Sequence, residues 1–154
     1  MRRRRPEKRK ILPDPLFNSL SIAKFINYIL DSGKKGVSEK IFYGAMDIIK
    51  SRTKKDGTDI FDVAIKNASP LLEVKTRRIG GANYQVPIEV PKNRQFFLAS
   101  KWIIASAKGR SGKSMSERLA TEFISAANNE GGAIKKKEDV HRMAEANRAF
   151  AHFR

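Results

Sequence analysis

Leu72-Glu-Val-Lys75-Thr-Arg77-Arg78-Ile-Gly80-Gly81-Ala82-Asn83-Tyr84-Gln-Val-Pro87-Ile-Glu-Val90 is the stretch in which the apolar spacing of this chain changes. Elsewhere apolar residues recur every three or four positions. Here Leu72, Val74 and Thr76 alternate with Glu73, Lys75 and Arg77, and Tyr84, Val86, Ile88 and Val90 alternate with Gln85, Pro87 and Glu89. A period of two places successive side chains on opposite faces of a strand, and the Gly-Gly pair between the runs is a turn signal. The stretch is therefore expected to be a β-hairpin. Pro87 has no N–H to give a ladder, which suits an edge. Two strands alone are marginally stable, so the hairpin must lean on helices or on a ligand.

Working outward toward the N-terminus, Ile60, Phe61, Ala64 and Ile65 predict a helix capped by Thr58 or Asp59 and stopped before Pro70. Ile41, Phe42, Ala45, Ile48 and Ile49 predict another. Ile22, Phe25, Ile26, Ile29 and Leu30 predict the first, closed by Asp31-Ser-Gly33, with Lys34-Lys35-Gly36 as a short basic loop behind it. Toward the C-terminus, Pro91 can open a fourth helix at its first position. Phe96, Phe97, Leu98, Ala99, Trp102, Ile103, Ile104 and Ala105 make it apolar almost all round, so it is expected as the buried centre of the bundle. Lys108-Gly-Arg-Ser-Gly-Lys113 reads as a basic loop, and Ser114-Met-Ser-Glu117 has the capping-box form that starts a helix. Leu119, Ala120, Phe123, Ile124 and Ala127 face inward on that fifth helix, which Gly131-Gly132 ends. A sixth runs from about Lys135 to Asn147, with Val140, Met143 and Ala144 inward. The expected fold class is mainly α: a single domain of about six helices with a protruding two-stranded β-hairpin arm. Residues 12–154 form this domain, with the hairpin at about 72–90, and residues 1–11 form a basic disordered N-terminal arm.

The chain has 154 residues, enough for one core. A hydrophobic fraction of 40% excludes a wholly disordered protein. Lys and Arg number 32 against 16 Asp and Glu, a formal net charge of +16. That self-repulsion calls for a polyanion, and nucleic acid is the default, since cations release condensed counterions from phosphates. A membrane surface would need cations opposite an exposed apolar helix face. Here every apolar face has plausible helical neighbours, and the cations sit in an arm, loops and a hairpin. No membrane partner is expected. The absence of cysteine excludes disulfides and zinc–thiolate sites and fits a reducing interior. No apolar run approaches the ~20 residues that span a bilayer. The Arg-rich start lacks the serine and spacing of a targeting leader and is read as part of the mature protein.

Gly109-x-x-Gly112-Lys113-Ser114 resembles a nucleotide phosphate loop, but that pattern needs a glycine where Ala107 stands, and a strand where a helix precedes. Its cations and helix-start amides still suit an RNA phosphate. No metal site is expected at His141 or His152. No nucleophile, base and orienter occur together, so no catalytic residue, no enzymatic activity and no cofactor are expected. The arm cations Arg2, Arg3, Arg4, Arg5, Lys8, Arg9 and Lys10 resist folding alone and order on a partner. Lys75, Arg77 and Arg78 beside Gly80-Gly81-Ala82-Asn83-Tyr84 set cations, an amide and an aromatic ring around a slim tip. There Arg can clamp phosphate or stack, and Tyr84 can stack. Lys135, Lys136, Arg118, His141 and Arg142 complete the candidate RNA contacts. Without further information, an architectural DNA-binding protein gripping a minor groove with its β-arm is the alternative.

Asp14-Pro-Leu-Phe-Asn-Ser19, Ala23-Lys-Phe-Ile-Asn27, Gly33-Lys-Lys35, the hairpin Arg77 to Val90, Lys113-Ser-Met115 and the C-terminal run Lys136 to Arg154 resemble, in order and over essentially the whole chain, bacterial small-subunit ribosomal protein number seven. The resemblance implies a cytoplasmic protein of the small ribosomal subunit, a helical domain with a β-arm. It implies a primary rRNA-binding protein that nucleates the head, bound to the 3′ major domain. It assigns rRNA contacts to Arg2 to Lys10, Lys34 and Lys35, Lys75 to Arg78, and Lys108 to Met115, which includes Arg110, Lys113 and Ser114. The tip, Gly80 to Tyr84, would face exit-site tRNA and mRNA, and small-subunit protein number eleven would be a neighbour. Two departures stand out. Gly36 occupies a position where a hydroxyl residue is common, and with the chain stopping at Arg154 no extended C-terminal contact is expected.

Overall fold

A computed structural model describes residues 9–112 and 114–153. Arg2, Arg3, Arg4, Arg5, Lys8 and Lys113, and the expectation of a disordered arm, lie outside the described residues. By contacts the chain forms two units, residues 1–39 and 40–154.

In the first unit, Asp14 organises the chain before α1 (Leu20–Ile29). Its buried carboxylate accepts from the amides of Leu16 and Phe17, each at 3.1 Å. Ser19 then caps α1 through Ile22 N–H, satisfying an amide that the first helical turn leaves without a partner. Ile22, Phe25 and Ile26 are buried as their spacing predicts, whereas Leu30 is the exposed C-cap. α2 (Lys35–Thr53) starts earlier than expected. The basic loop ends at Lys34, and Lys35 and Gly36 belong to the first helical turn, where Lys35 pairs with Glu39 at 3.7 Å. An i,i+4 pair of that kind is a helix feature that composition alone reads as loop.

The second unit carries the rest of α2, then α3 (Gly57–Ala68), β1 (Leu72–Ile79), β2 (Ala82–Glu89), α4 (Lys92–Gly109), α5 (Met115–Ala127), α6 (Gly132–Ala146) and a short 3-10 helix, Arg148–Phe153, that the periodicity did not announce. Three edge-on phenylalanines mark its centre. Phe42 on α2, Phe61 on α3 and Phe123 on α5 have ring centroids 5.5 to 6.4 Å apart, the arrangement that aromatic quadrupoles favour. All three are fully buried. Asp56, not Thr58 or Asp59, caps α3, accepting from Thr58 N–H. Ser114 caps α5 as its capping box predicts, accepting from Glu117 N–H at 3.2 Å.

α4 departs most from expectation. It packs on α3, α5 and α6 with Ala99, Ser100, Ile103, Ile104 and Ala107 buried. Phe96, Phe97, Leu98 and Trp102 are only half-buried and Ala105 is exposed. Pro91 is its N-cap, one residue earlier than read. A helix apolar on nearly every face gives little periodic clue to which face is covered, and the face carrying Ala99, Ser100, Ile103 and Ala107 is the one that neighbouring helices cover.

The hairpin pairs antiparallel from Leu72↔Glu89 to Ile79↔Ala82. Gly80 and Gly81 make the two-residue turn with φ of 56° and 91°, a backbone that matches strand twist and favours glycine. β1 packs on α6 and β2 on the 3-10 helix. Val86 and Pro87 are buried at the base, whereas Lys75, Thr76, Arg77 and Arg78 are exposed. The hairpin thus leans on its helices at one end and stands in solvent at the other.

Candidate nucleic-acid interface

Strand alternation sends Arg77 and Arg78 to opposite faces of the distal hairpin, where both are exposed and face Tyr84 and Asn83 across the ladder. Lys75, nearer the base, pairs with Glu73 at 3.3 Å, and Glu73 also accepts from Arg94. Gly80, Gly81, Ala82 and Asn83 are exposed at the tip. Tyr84, expected beside them as a stacking ring, is half-buried, and its ring sits 5.3 Å from that of Phe150 in the 3-10 helix. It fastens the arm to the C-terminal segment. Sequence spacing offered no sign of this, because Phe150 lies outside every helical repeat.

The connection between α4 and α5 is organised around two arginines that point inward. Arg110 donates to Glu122 and, through Nη2, to Ser125 at 3.0 Å. Glu122 is fully buried on α5, and its other oxygen accepts from Ala133 N–H at 3.1 Å, in the first turn of α6. A buried carboxylate needs both a counter-charge and hydrogen bonds, and this one has them. Gly131, the N-cap of α6 with φ of 95°, leaves room for them: a Cβ there would lie 3.0 Å from Glu122 Oε1 and 3.2 Å from Arg110 Nη2. Arg110, read from sequence as an RNA contact, therefore locks α4, α5 and α6 together. Arg118 is half-buried and donates through Nη1 to Lys108 O at 3.2 Å. Among the described residues, its Nε is buried without a hydrogen-bond partner. Met115 is half-buried in the first turn of α5, while Lys108 and Ser114 are exposed.

α6 divides its polar side chains the same way. Lys135 and Lys136 are exposed, whereas Lys137 Nζ donates to Asn67 O at 2.6 Å. Arg142 pairs with Asp139 at 2.8 Å on the surface. His141 Nε2 accepts from Leu71 N–H at 3.1 Å, tying α6 to the start of the hairpin. Burial first, and the Lys137 ammonium second, hold its imidazole below the ordinary value, keeping the neutral form that can accept. A cleft of about 420 Å³ opens beside it, lined by Leu72, Pro87, Ala144 and Arg148 among others.

Among the described residues Arg9, Lys10, Lys34, Arg77, Arg78, Lys108, Lys135 and Lys136 are exposed and make no ion pair. Lys35, Lys75, Arg110 and Arg142 are paired, and Arg118 and His141 serve internal hydrogen bonds. The Glu122 clamp escaped the sequence reading, although a glutamate flanked by the inward Leu119, Ala120 and Phe123 was its signal.

The model of the family described as ribosomal protein S7p/S5e matches residues 1–148. Small ribosomal subunit protein uS7 of Thermotoga maritima is 57% identical over 154 residues, spanning 100% of this chain and 99% of that protein. Those of Teredinibacter turnerae and Dechloromonas aromatica are 54% and 56% identical over 153 residues, each spanning 99% of this chain and 98% of the relative.

Proposed function

Because the chain belongs to the ribosomal protein S7p/S5e family, we propose that it holds the 3′ major domain of small-subunit rRNA and nucleates folding of the subunit head. Family membership makes it a structural constituent of the ribosome and not an enzyme. The observation that carries the finer reading is the exposed set without carboxylates: Lys34, Arg77, Arg78, Lys108, Lys135 and Lys136, together with Arg9 and Lys10 of the basic segment. Their mutual repulsion is relieved when phosphates neutralise them. Arg2 to Lys8 and Lys113 extend this set along the sequence. Lys35, Lys75, Arg142, Ser114 and Met115 join this set as further contacts, while Arg110, Arg118 and His141 act by holding the scaffold.

The glycine tip, Gly80 to Asn83, lies toward exit-site tRNA and mRNA in this proposal, and Tyr84 sets its angle. Small-subunit protein number eleven is the expected protein neighbour, and the cytoplasm the expected compartment. Footprinting of the isolated rRNA domain tests the reading. The intact chain is expected to protect a multi-helix junction, and deletion of residues 2–10 to lose part of that footprint. Affinity should fall roughly a thousandfold or more between low and moderate salt if six or more phosphates are neutralised. Shortening residues 79–83 should leave rRNA binding in place and disturb tRNA exit or frame keeping. A nearly flat salt dependence, or loss of rRNA binding on tip shortening, would overturn the assignment.

A further inference from the structure

We propose that the segment leading into α1 is an apolar edge that packs Leu12, Leu16 and Leu20 against riboses in the shallow minor groove of an rRNA helix. It rests on the rRNA-binding reading above and adds a contact that charge does not provide. The three leucines are 81%, 67% and 51% exposed. Single exposed leucines are ordinary, but these three fall within nine residues of a segment whose turn is built to hold its shape. The Asp14 carboxylate is buried and accepts from Leu16 N–H and Phe17 N–H. Asp14 O accepts from Asn18 N–H at 2.8 Å, and Asp14 N–H donates to Ser19 O at 3.2 Å. Asn18 is held at φ 47°, a conformation that a non-glycine residue adopts at some cost and keeps when its surroundings enforce it. The turn thus presents Leu16 from a fixed position, and little ordering entropy is lost on binding.

The surroundings select the partner. Residues 9–39 carry Arg9, Lys10, Lys24, Lys34 and Lys35 against Asp14, Asp31 and Glu39. Of these carboxylates Asp14 is buried and Glu39 is paired with Lys35. Leu12 also borders a cleft of about 540 Å³ whose walls include Ile11, Pro13 and Pro15, the buried Asp14, the Lys35–Glu39 pair and Lys10, which makes no ion pair among the described residues. Apolar surface and the Lys10 ammonium therefore share one cavity. An RNA minor groove has the complementary layout: it is wide and shallow and displays riboses between rows of phosphates. Leucines meet the sugars while the lysines meet the phosphates on either side.

The test uses the full chain and the isolated rRNA domain. Leu12→Ser, Leu16→Ser and Leu20→Ser combined should lower affinity by about thirtyfold or more, the scale of apolar area returned to water. The slope of log affinity against log salt should stay at the parent value, because no phosphate contact is removed. Lys34→Ala is the contrast, lowering that slope by about one. Acylation of RNA 2′-hydroxyls should rise along one short stretch of minor groove in the triple variant. If combined substitution lowers the melting temperature of the free chain, Leu12→Ser alone, outside every helix and the most exposed, should still weaken binding several-fold. A triple variant that binds within twofold of a parent with a steep salt slope would overturn the apolar contact and leave the rRNA-binding reading standing. So would one that binds naked rRNA normally but fails to enter a reconstituted subunit, since a protein would then cover the leucines. A parent chain with a flat salt slope would overturn both.

Discussion

Two pairs of arginines in this chain carry the same sequence signal and do opposite things. Arg77 and Arg78 lie beside glycines at the hairpin tip, and Arg110 and Arg118 flank the glycine-containing connection between α4 and α5. The first pair is exposed and without carboxylates among the described residues. The second is drawn inward, Arg110 to the buried Glu122 and Arg118 over the loop to Lys108 O. The difference follows from what stands opposite. At the far part of the arm the 3-10 helix brings a ring, Phe150 against Tyr84, and among the described residues no carboxylate pairs with Arg77 or Arg78, so these cations stay exposed. At the α4–α5 connection, α5 and α6 converge and bring a carboxylate and a helix start within reach. Basic glycine-rich segments thus keep their cations exposed where the fold is thin and turn them into internal clamps where elements meet.

That contrast is broken or sharpened by four measurements. Arg110→Ala should cost the most, about 3–5 kcal/mol of stability, because it strands a fully buried carboxylate. Denaturant unfolding reads it, and the salt slope for rRNA should stay at the parent value wherever the variant is folded. A variant that unfolds with the parent but loses a phosphate contact would put Arg110 on the RNA side. Arg77→Ala combined with Arg78→Ala should do the reverse. Stability stays within about 0.5 kcal/mol, while affinity drops by about 2 kcal/mol and the salt slope falls by about two. An unchanged slope in a binding titration would remove the tip from the phosphate-holding set.

Tyr84→Ala should cost about 1 kcal/mol through the lost ring contact with Phe150. Faster amide hydrogen exchange in β2 should accompany it, with Phe150→Ala giving the same pattern. If β2 exchange is unmoved in both, the ring is not the brace of the arm. The smallest effect concerns pH. His141 has its folded pKa lowered from 6.5, so the unfolded chain binds the extra proton first as pH falls. The stability it contributes is full above 6.5 and is lost as pH falls from there through the lowered folded value. Comparing parent and His141→Gln unfolding between neutral and mildly acidic pH should show a shallower acid loss in the variant. Parallel curves would mean the imidazole is not what ties Leu71 to α6.

Much of the architecture was legible because periodicity is local. The hairpin, the Gly80-Gly81 turn, the Ser114 cap and the inward phenylalanines of α2, α3 and α5 all follow from spacing within one element. The errors arose where neighbours decide. α4 is apolar on nearly all sides, so only packing could choose Ala99, Ile103 and Ala107 over Phe97 and Trp102. The charge of Lys35 matches that of its loop neighbour Lys34, and only Glu39, four residues on, marks it as helical.

By itself, then, the sequence determined the number and kind of elements, the excess of cations and the segments that carry them. The resemblance in its motifs pointed to the family. The tertiary structure decided which of those cations remain outside. That choice depends on long-range partners: Glu122 reaches both Arg110 and the start of α6, Phe150 meets Tyr84, and His141 reaches back to Leu71. Whether a charge is left for a ligand is a property of what the fold brings against it, and no local pattern records that.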